Sequence, residues 1–187
     1  CGLGTKTRTW TATDCAGNTV SASQTITIED TTAPVIAGVG AAYTVECPTA
    51  AVFSMPTASD TCDSTVTFGF VDSSDLDNCG LGTKTRTWTA TDCAGNTVSA
   101  SQTITIEDTT APVIAGVGAA YTVECPTAAV FSMPTASDTC DSTVTFGYVD
   151  SSDLDNCGLG TVTRTWTATD CAGNTVSASQ TITIEDT

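Results

Sequence analysis

The chain of 187 residues is acidic and rich in cysteine, with 21 Asp and Glu against 5 Lys and Arg, a formal net charge of −16, 10 Cys and no His. Such a charge makes nucleic acid and anionic lipid poor partners. The lack of His and of any Cys-x-x-Cys pair argues against the usual zinc and redox sites, and the common catalytic motifs are missing, so we expect no enzyme activity. No apolar run is long enough to span a bilayer.

The sequence is a tandem repeat with a period of 78 residues, since the segment that begins at Cys1 begins again at Cys79 and at Cys157. Many equivalent copies in series suit a chain that reaches across a distance. The two complete copies differ in two places, Phe70 against Tyr148 and Lys84 against Val162. We predict three segments: the C-terminal hairpin of a truncated repeat at 1–31, and complete repeats at 32–109 and 110–187.

Strand signals follow one another through each repeat. In chain order along 32–109 we predict short strands at Tyr43–Glu46, Val52–Met55 and Thr65–Val71, then a hairpin of Thr83–Thr91 and Thr97–Glu107 closed by the turn residues 92–96. No segment has a convincing helical period. The prediction is an all-β chain of tandem immunoglobulin-like β-sandwich domains of 78 residues, stacked end to end.

Four cysteines in each repeat predict disulfides, and therefore an oxidising, extracellular location. Cys79 and Cys93 flank an extended strand, so at roughly 3.3 Å per residue they lie on the order of 45 Å apart, far beyond the reach of about 7 Å that a disulfide allows. Two pairings within a repeat remain: Cys47–Cys79 with Cys62–Cys93, or Cys47–Cys93 with Cys62–Cys79.

In a sandwich, Cys47 and Cys79 are expected at one end of the domain and Cys62 and Cys93 at the other, which favours the first pairing. The predicted bridges are Cys47–Cys79, Cys62–Cys93, Cys125–Cys157 and Cys140–Cys171. Cys1 and Cys15, whose half-repeat is incomplete, are predicted to lack partners.

Three acidic groups are candidate cation sites, because calcium prefers six to eight oxygen ligands. At the repeat junction we predict a calcium site made from Glu107, Asp108, Asp138, Asp141, Asp170 and Asn174. The alternative there is a hydrogen-bonded turn with solvated carboxylates. A second group, Asp72, Asp75, Asp77 and Asn78, lacks the Gly and distal Glu of an EF-hand and is predicted to be a solvated loop. Asp60 and Asp92 are predicted to cap turns.

One tryptophan recurs in each repeat, at Trp10, Trp88 and Trp166. We predict that it is the aromatic core residue of the sandwich, with the stem of Arg86 along its ring. The alternative is an exposed platform on which a glycan could stack.

Several motifs together resemble hyalin-repeat (HYR-like) immunoglobulin-type domains. They are Val45–Pro48, Pro56–Asp60, Thr85–Asn96 and Ile104–Val113. Such arrays are typical of giant secreted or surface adhesin-like proteins of marine or gliding Bacteroidota-type bacteria, so the resemblance implies a cell-surface or secreted location and a role in adhesion. Eukaryotic hyalin repeats bridge their first cysteine to one on the last strand. Residues 99–106 contain no cysteine, so that pairing does not transfer.

The leading functional hypothesis is a stalk or fibre segment that spaces an adhesive or anchoring element from the cell. The alternative is a multivalent ligand-binding module, for a glycan or another cell surface, that acts by avidity. The expected partners are neighbouring repeats and further copies of the same chain bundled as a homo-oligomeric filament. Calcium is the one expected cofactor.

Overall fold

A computed structural model describes residues 2–187, and these residues form strands and turns without a helix, so none of them belongs to a helix that could cross a membrane. The strands are β1 Gly4–Thr13, β2 Thr19–Ile28, β3 Val35–Ala37, β4 Tyr43–Glu46, β5 Thr57–Ser59, β6 Thr67–Leu76, β7 Gly82–Thr91, β8 Thr97–Glu107, β9 Val113–Ala115, β10 Tyr121–Glu124, β11 Thr135–Ser137, β12 Thr145–Leu154, β13 Gly160–Thr169 and β14 Thr175–Glu185.

Two compact units divide the chain, and they do not follow the repeat period. The first unit contains residues 2–42, Val52–Ser73 and Thr85–Thr103. The second contains Tyr43–Ala51, Ser74–Lys84 and Ile104–Thr187. The second complete repeat therefore lies wholly within the second unit, together with one end of the first repeat. The division of the sequence at residue 109 stays a prediction.

In the second complete repeat, a four-stranded sheet of order β10-β14-β13-β12 accompanies a two-stranded sheet of β9 and β11. The long hairpin β13–β14 and the pair β12–β13 are antiparallel, whereas β10 runs parallel to β14. The same order recurs as β4-β8-β7-β6 with β3-β5, and β1 pairs with β2. The predicted class, an all-β immunoglobulin-like β-sandwich, is confirmed.

The core of the second unit lies on the hairpin β13–β14. Trp166, Ala168 and Ile182 are completely buried, because alternate residues of an extended strand point to one face of the sheet. Phe131 contacts Trp166 edge to face, with ring centroids 6.1 Å apart. In the first unit Trp88 is only 3% exposed. Trp88 and Trp166 are therefore core residues, as predicted, and neither offers a stacking platform. Trp10 is 50% exposed, so the prediction is wrong for that residue.

A buried glutamine holds the irregular segment before β11. The Gln180 side chain donates from Nε2 to the Ala119 carbonyl at 3.0 Å and accepts from the Ser132 amide at 3.0 Å. Gln102 makes the same two bonds in the first unit, to Ala41 and Ser54. Since the Ser54 amide bonds to a side chain instead of a neighbouring strand, the strand predicted at Val52–Met55 is absent and that prediction is wrong.

Asp72 and Asp75 lie on strand β6, which corrects the predicted solvated loop for these two residues, whereas Asp77 and Asn78 follow the strand. Strand β12 continues to Leu154, and Asp150 lies opposite Arg164 on β13. Arg164 donates to both carboxylate oxygens of Asp150, at 2.6 and 2.7 Å, and its guanidinium lies 4.0 Å from the ring centroid of Tyr148. These hydrogen bonds lower the pKa of Asp150 from its ordinary 3.8. In the first unit Arg86 bonds to Asp72 in the same way.

Candidate functional site

The segment that joins the two complete repeats is held by Glu46, at the end of β4. Its carboxylate accepts hydrogen bonds from the Thr109 amide at 2.7 Å and from the hydroxyls of Thr109 and Thr110 at 3.1 and 2.9 Å. Of these, the bond from the Thr109 amide contributes most to lowering the pKa of Glu46. Thr109 and Thr110 lie between β8 and β9, so this carboxylate fixes the segment that joins the two repeats. Sequence reasoning did not single it out.

Asn174 holds the same segment from the other side. Its side-chain amide donates to the backbone carbonyls of Asp108 at 3.0 Å and Thr110 at 3.3 Å, and to the carboxylate of Asp170 at 2.9 Å. All three partners are acceptors, which fixes the nitrogen as the atom that faces them. The structure therefore makes Asn174 a hydrogen-bond donor to the linker.

A cluster of carboxylates lies beside this linker. Oxygen atoms of Asp108 and Asp138 and the sulfur of Cys140 lie within 4.8 Å of one another. Asp108 is buried and accepts a bond from the Thr110 amide at 3.0 Å. Burial, followed by the negative charges of Asp138, Asp170 and Glu46, raises the pKa of Asp108 above its ordinary 3.8.

Of the six residues predicted as calcium ligands, the structure brings two carboxylates together, Asp108 and Asp138. Asp170 lies near enough for its charge to raise the pKa of Asp108. Glu107 is exposed and lies outside the three-residue cluster. Asp141 accepts from the Thr143 amide at 2.9 Å and also lies outside it. The Asp108–Thr110 bond is the hydrogen-bonded turn that the sequence allowed as an alternative.

A disulfide joins Cys79 of the first repeat to Cys171 of the second, with Cα atoms 5.9 Å apart and a sequence separation of 92 residues. The four bridges predicted within repeats are therefore wrong: Cys79 is not bonded to Cys47, and Cys171 is not bonded to Cys140. The cysteines with free thiols are Cys15, Cys47, Cys62, Cys125, Cys140 and Cys157, which also excludes the predicted Cys62–Cys93 and Cys125–Cys157 bridges. Cys15 is unpaired as predicted, and Cys1 lies outside the described residues.

The predicted bridges were wrong because the sequence argument considered only pairings within one repeat. Cys47 and Cys79 do lie at the same end of the repeat, as the sequence argument required. Both line one surface pocket together with Ile106 at the end of β8. Few residues separate the end of β8 from Val113, where β9 begins, so the end of one repeat lies against the beginning of the next. Each cysteine at that end meets a partner from the following repeat instead of its own.

A second pair of cysteines meets at the same junction. Cys47 lies close enough to Cys140 to influence its thiol, and both residues are half-buried. Burial, with further contributions from Cys47 and Asp108, raises the pKa of Cys140 to about 12. Four cysteines from two repeats therefore lie at one junction. Cys79 and Cys171 are bonded to each other, and Cys47 and Cys140 are neighbouring free thiols.

Residues 35–106 and 113–184 match the family model described as "HYR-like domain with 4 cysteines". The chain belongs to this family. The resemblance to HYR-like repeats that the sequence motifs indicate is thereby confirmed. Each matched segment of this HYR-like chain contributes four cysteines, and two of the four in the first segment, Cys47 and Cys79, reach to the second.

Solved structures with some likeness to this HYR-like chain come from cadherins. "Protocadherin Gamma B2 extracellular cadherin domains 1-5" has a TM-score of 0.40 and 17% identity over 98% of this chain and 46% of that one. Drosophila N-cadherin EC1-4 has a TM-score of 0.38 and 14% identity over 89% and 52%. The human Desmocollin-1 ectodomain has a TM-score of 0.32 and 14% identity over 96% and 48%.

The chain spans about half the length of these three structures. With TM-scores this low, the likeness carries no argument about function. Among curated proteins, none matches the sequence of the chain.

Proposed function

We propose that the chain is a structural segment of a long extracellular protein, in which HYR-like repeats are coupled in series to hold an adhesive or anchoring element away from the cell. The observation that carries this proposal is the disulfide between Cys79 and Cys171, which joins one repeat to the next. Disulfides persist in oxidising surroundings, which supports a secreted or cell-surface location. The resemblance to repeats of giant bacterial surface proteins points the same way.

The disulfide changes how the chain would carry tension. A pull on the two ends passes through the covalent bond between Cys79 and Cys171, so the 91 residues between them carry no load. The hydrogen bonds of Glu46 and Asn174 to the linker then need only orient the junction. A spacer under load benefits from this arrangement, because unfolding of the enclosed residues cannot lengthen it.

Force spectroscopy of the whole chain, pulled from its termini, tests the proposal. All the chains compared carry Cys140→Ser, so that Cys47 cannot form a bond that replaces the one removed. At about 3.3–3.6 Å per extended residue, the intact disulfide should then hold back roughly 300 Å of extension that the added Cys79→Ser substitution releases. Cys157→Ser is the matched control, since Cys157 is the sequence equivalent of Cys79 and is free and exposed. If the chain that keeps Cys79 extends as far as the chain with Cys79→Ser, there is no covalent load path through Cys79 and the proposal fails.

One observation favours a second candidate function, a ligand-binding module that acts by avidity. Phe70 and Tyr148, the variable aromatic position, are 55% and 56% exposed, and Met55 and Phe68 line the same surface depression as Phe70. A recurring apolar patch on the surface is a common feature of recognition sites. Loss of glycan or cell-surface binding in the double variant Phe70→Ala with Tyr148→Ala would support this function. Loss of self-association in that variant would instead assign the patch to contacts in a homo-oligomeric filament.

We infer that the junction also binds calcium, through the carboxylates of Asp108 and Asp138 with Asp170 beside them. The raised pKa of Asp108 supports this, since a cation would relieve the repulsion among these charges. Carboxylate oxygens are ligands that calcium prefers, and water would supply the remaining positions. Cys140 contributes a thiol, which is a poor ligand for this hard cation.

Calcium should therefore raise the melting temperature of the chain, and Asp108→Asn should abolish the increase. Without calcium, the raised pKa of Asp108 means that the folded state favours the protonated carboxyl group. The protonated group therefore stabilises the fold at low pH. This stabilisation is lost as the pH rises through the raised pKa and is regained on acidification towards 3.8. Asp108→Asn should remove this pH dependence and be the more stable protein at neutral pH. Asp186→Asn is the matched control, because Asp186 is the exposed equivalent of Asp108. An equal response to calcium in all three proteins contradicts the inference.

A further inference from the structure

The backbones of Cys47 and Cys140 bring both residues to the same linker. The Cys47 amide donates to the Glu107 carbonyl at 2.9 Å, which continues the pairing of β4 with β8 by one residue. The Cys140 amide donates to the Asp138 carboxylate at 2.7 Å, within a tight turn, and the Cys140 sulfur lies within 4.8 Å of a carboxylate oxygen of Asp108, the residue after Glu107. The two thiols are therefore close enough for Cys47 to influence Cys140.

The repeat provides an internal comparison for this contact. Cys125 is the sequence equivalent of Cys47, and Cys62 is the equivalent of Cys140, yet both equivalents are exposed whereas the junction pair is half-buried. Cys62 has the same local surroundings as Cys140, because it clusters with Asp30 and Asp60 as Cys140 does with Asp108 and Asp138. What distinguishes Cys140 is the presence of Cys47 from the preceding repeat.

We propose that Cys47 and Cys140 form a second disulfide across the repeat junction, beside the bond between Cys79 and Cys171. The inference rests on the proposed function, in which the repeats are coupled in series. A single disulfide limits the separation of two repeats but leaves rotation about its own bonds free. Two bonds that start from different points of one surface pocket, Cys47 and Cys79, would fix the angle as well as the separation.

The step is an ordinary thiol–disulfide exchange with a low-molecular-weight disulfide, such as oxidised glutathione, as the oxidant. The Cys47 thiolate attacks the oxidant, forms a mixed disulfide and releases one thiolate of the oxidant. The Cys140 sulfur, after losing its proton to water, attacks the Cys47 sulfur and releases the second. Two protein thiols are oxidised to one disulfide, and one small disulfide is reduced to two thiols.

Peptide mapping of the whole chain tests the proposal, despite the identical sequences around the cysteines. The exposed free cysteines are first removed in one variant that carries Cys15→Ser, Cys62→Ser, Cys125→Ser and Cys157→Ser. The monomer is incubated with oxidised glutathione, alkylated, and cleaved with cyanogen bromide after Met55 and Met133 and with trypsin after Lys and Arg. Peptide 9–55 then carries only Cys47 and peptide 134–164 only Cys140, whereas 56–84 and 165–187 carry Cys79 and Cys171.

The expected result is that 9–55 is linked to 134–164 and 56–84 to 165–187, without reduction. Adding Cys140→Ser should free 9–55 and leave the other link intact. If 9–55 and 134–164 are recovered separately and alkylated while 56–84 remains linked to 165–187, the second disulfide is excluded and the proposed function stands. If 56–84 and 165–187 are also separate, the cross-repeat coupling itself is absent and both proposals fail.

Discussion

Replacing Cys79 with serine is expected to lower the free energy of unfolding by about 4–5 kcal/mol, because the disulfide closes a loop of nearly the length for which the chain-entropy model gives about 4.7 kcal/mol. The bond spans 92 residues, so most of the benefit comes from restricting the unfolded chain. Guanidinium denaturation of the oxidised protein, followed by tryptophan fluorescence, measures the difference. Both proteins carry Cys140→Ser, so that Cys47 and Cys140 cannot form a bond that limits the loss. Reduction of the chain that keeps Cys79 should lower the free energy of unfolding by at least as much, because it breaks every disulfide present.

Cys157→Ser serves as the control for that measurement. Cys157 occupies the same place in the following repeat, and its thiol is free and exposed, so its replacement should change the free energy of unfolding by less than about 0.5 kcal/mol. Equal losses in the two variants would mean that the serine itself destabilises the turn after β6 or β12. A negligible loss in both would mean that the bond to Cys171 does not contribute to stability.

Replacing Gln180 with alanine is expected to lower the free energy of unfolding by about 2–6 kcal/mol, since a buried polar group that loses its partner costs about 1–3 kcal/mol and Gln180 has two such partners. The substitution leaves the Ala119 carbonyl and the Ser132 amide without the side chain that pairs them. The segment before β11 should then become mobile, and hydrogen exchange at the Ser132 amide should accelerate with the loss of stability.

Gln24→Ala is the matched control for this second prediction. Gln24 is the sequence equivalent of Gln180 on β2, but it is exposed and lies opposite Arg8 in a two-stranded sheet. Its replacement should leave the melting temperature unchanged. If Gln180→Ala is as harmless as Gln24→Ala, water has replaced the amide and the bridge is dispensable.

The long strands were predictable from the sequence because their residues carry the signal locally. The hairpin of β7 and β8 was expected to within one residue, since β-branched residues alternate on both sides of the turn residues 92–96. The three-residue strands β3 and β5 were missed, because so short a segment contains no measurable alternation. Val52–Met55 was wrongly predicted to be a strand, because the backbone amide of Ser54 bonds to the Gln102 side chain instead of to a neighbouring strand.

The junction could be predicted only in part. The sequence placed acidic residues there correctly, and Asp108 with Asp138 does form a cluster. It did not indicate Glu46, because a glutamate at the end of a strand ordinarily faces solvent. The sequence also could not predict the partner of Cys79. The argument from disulfide length compared cysteines within one repeat, whereas the bond to Cys171 depends on how two repeats pack together.

The bond between Cys79 and Cys171 also sets the order in which the chain can be completed. With bridges inside each repeat, every repeat could mature alone as it emerges. Here Cys79 waits for a partner that lies 92 residues further along, which at typical rates of synthesis takes about 5–20 seconds. Each newly made repeat therefore presents an unsatisfied thiol until its successor arrives, so maturation of this protein proceeds in one direction, from the N-terminal repeat onwards.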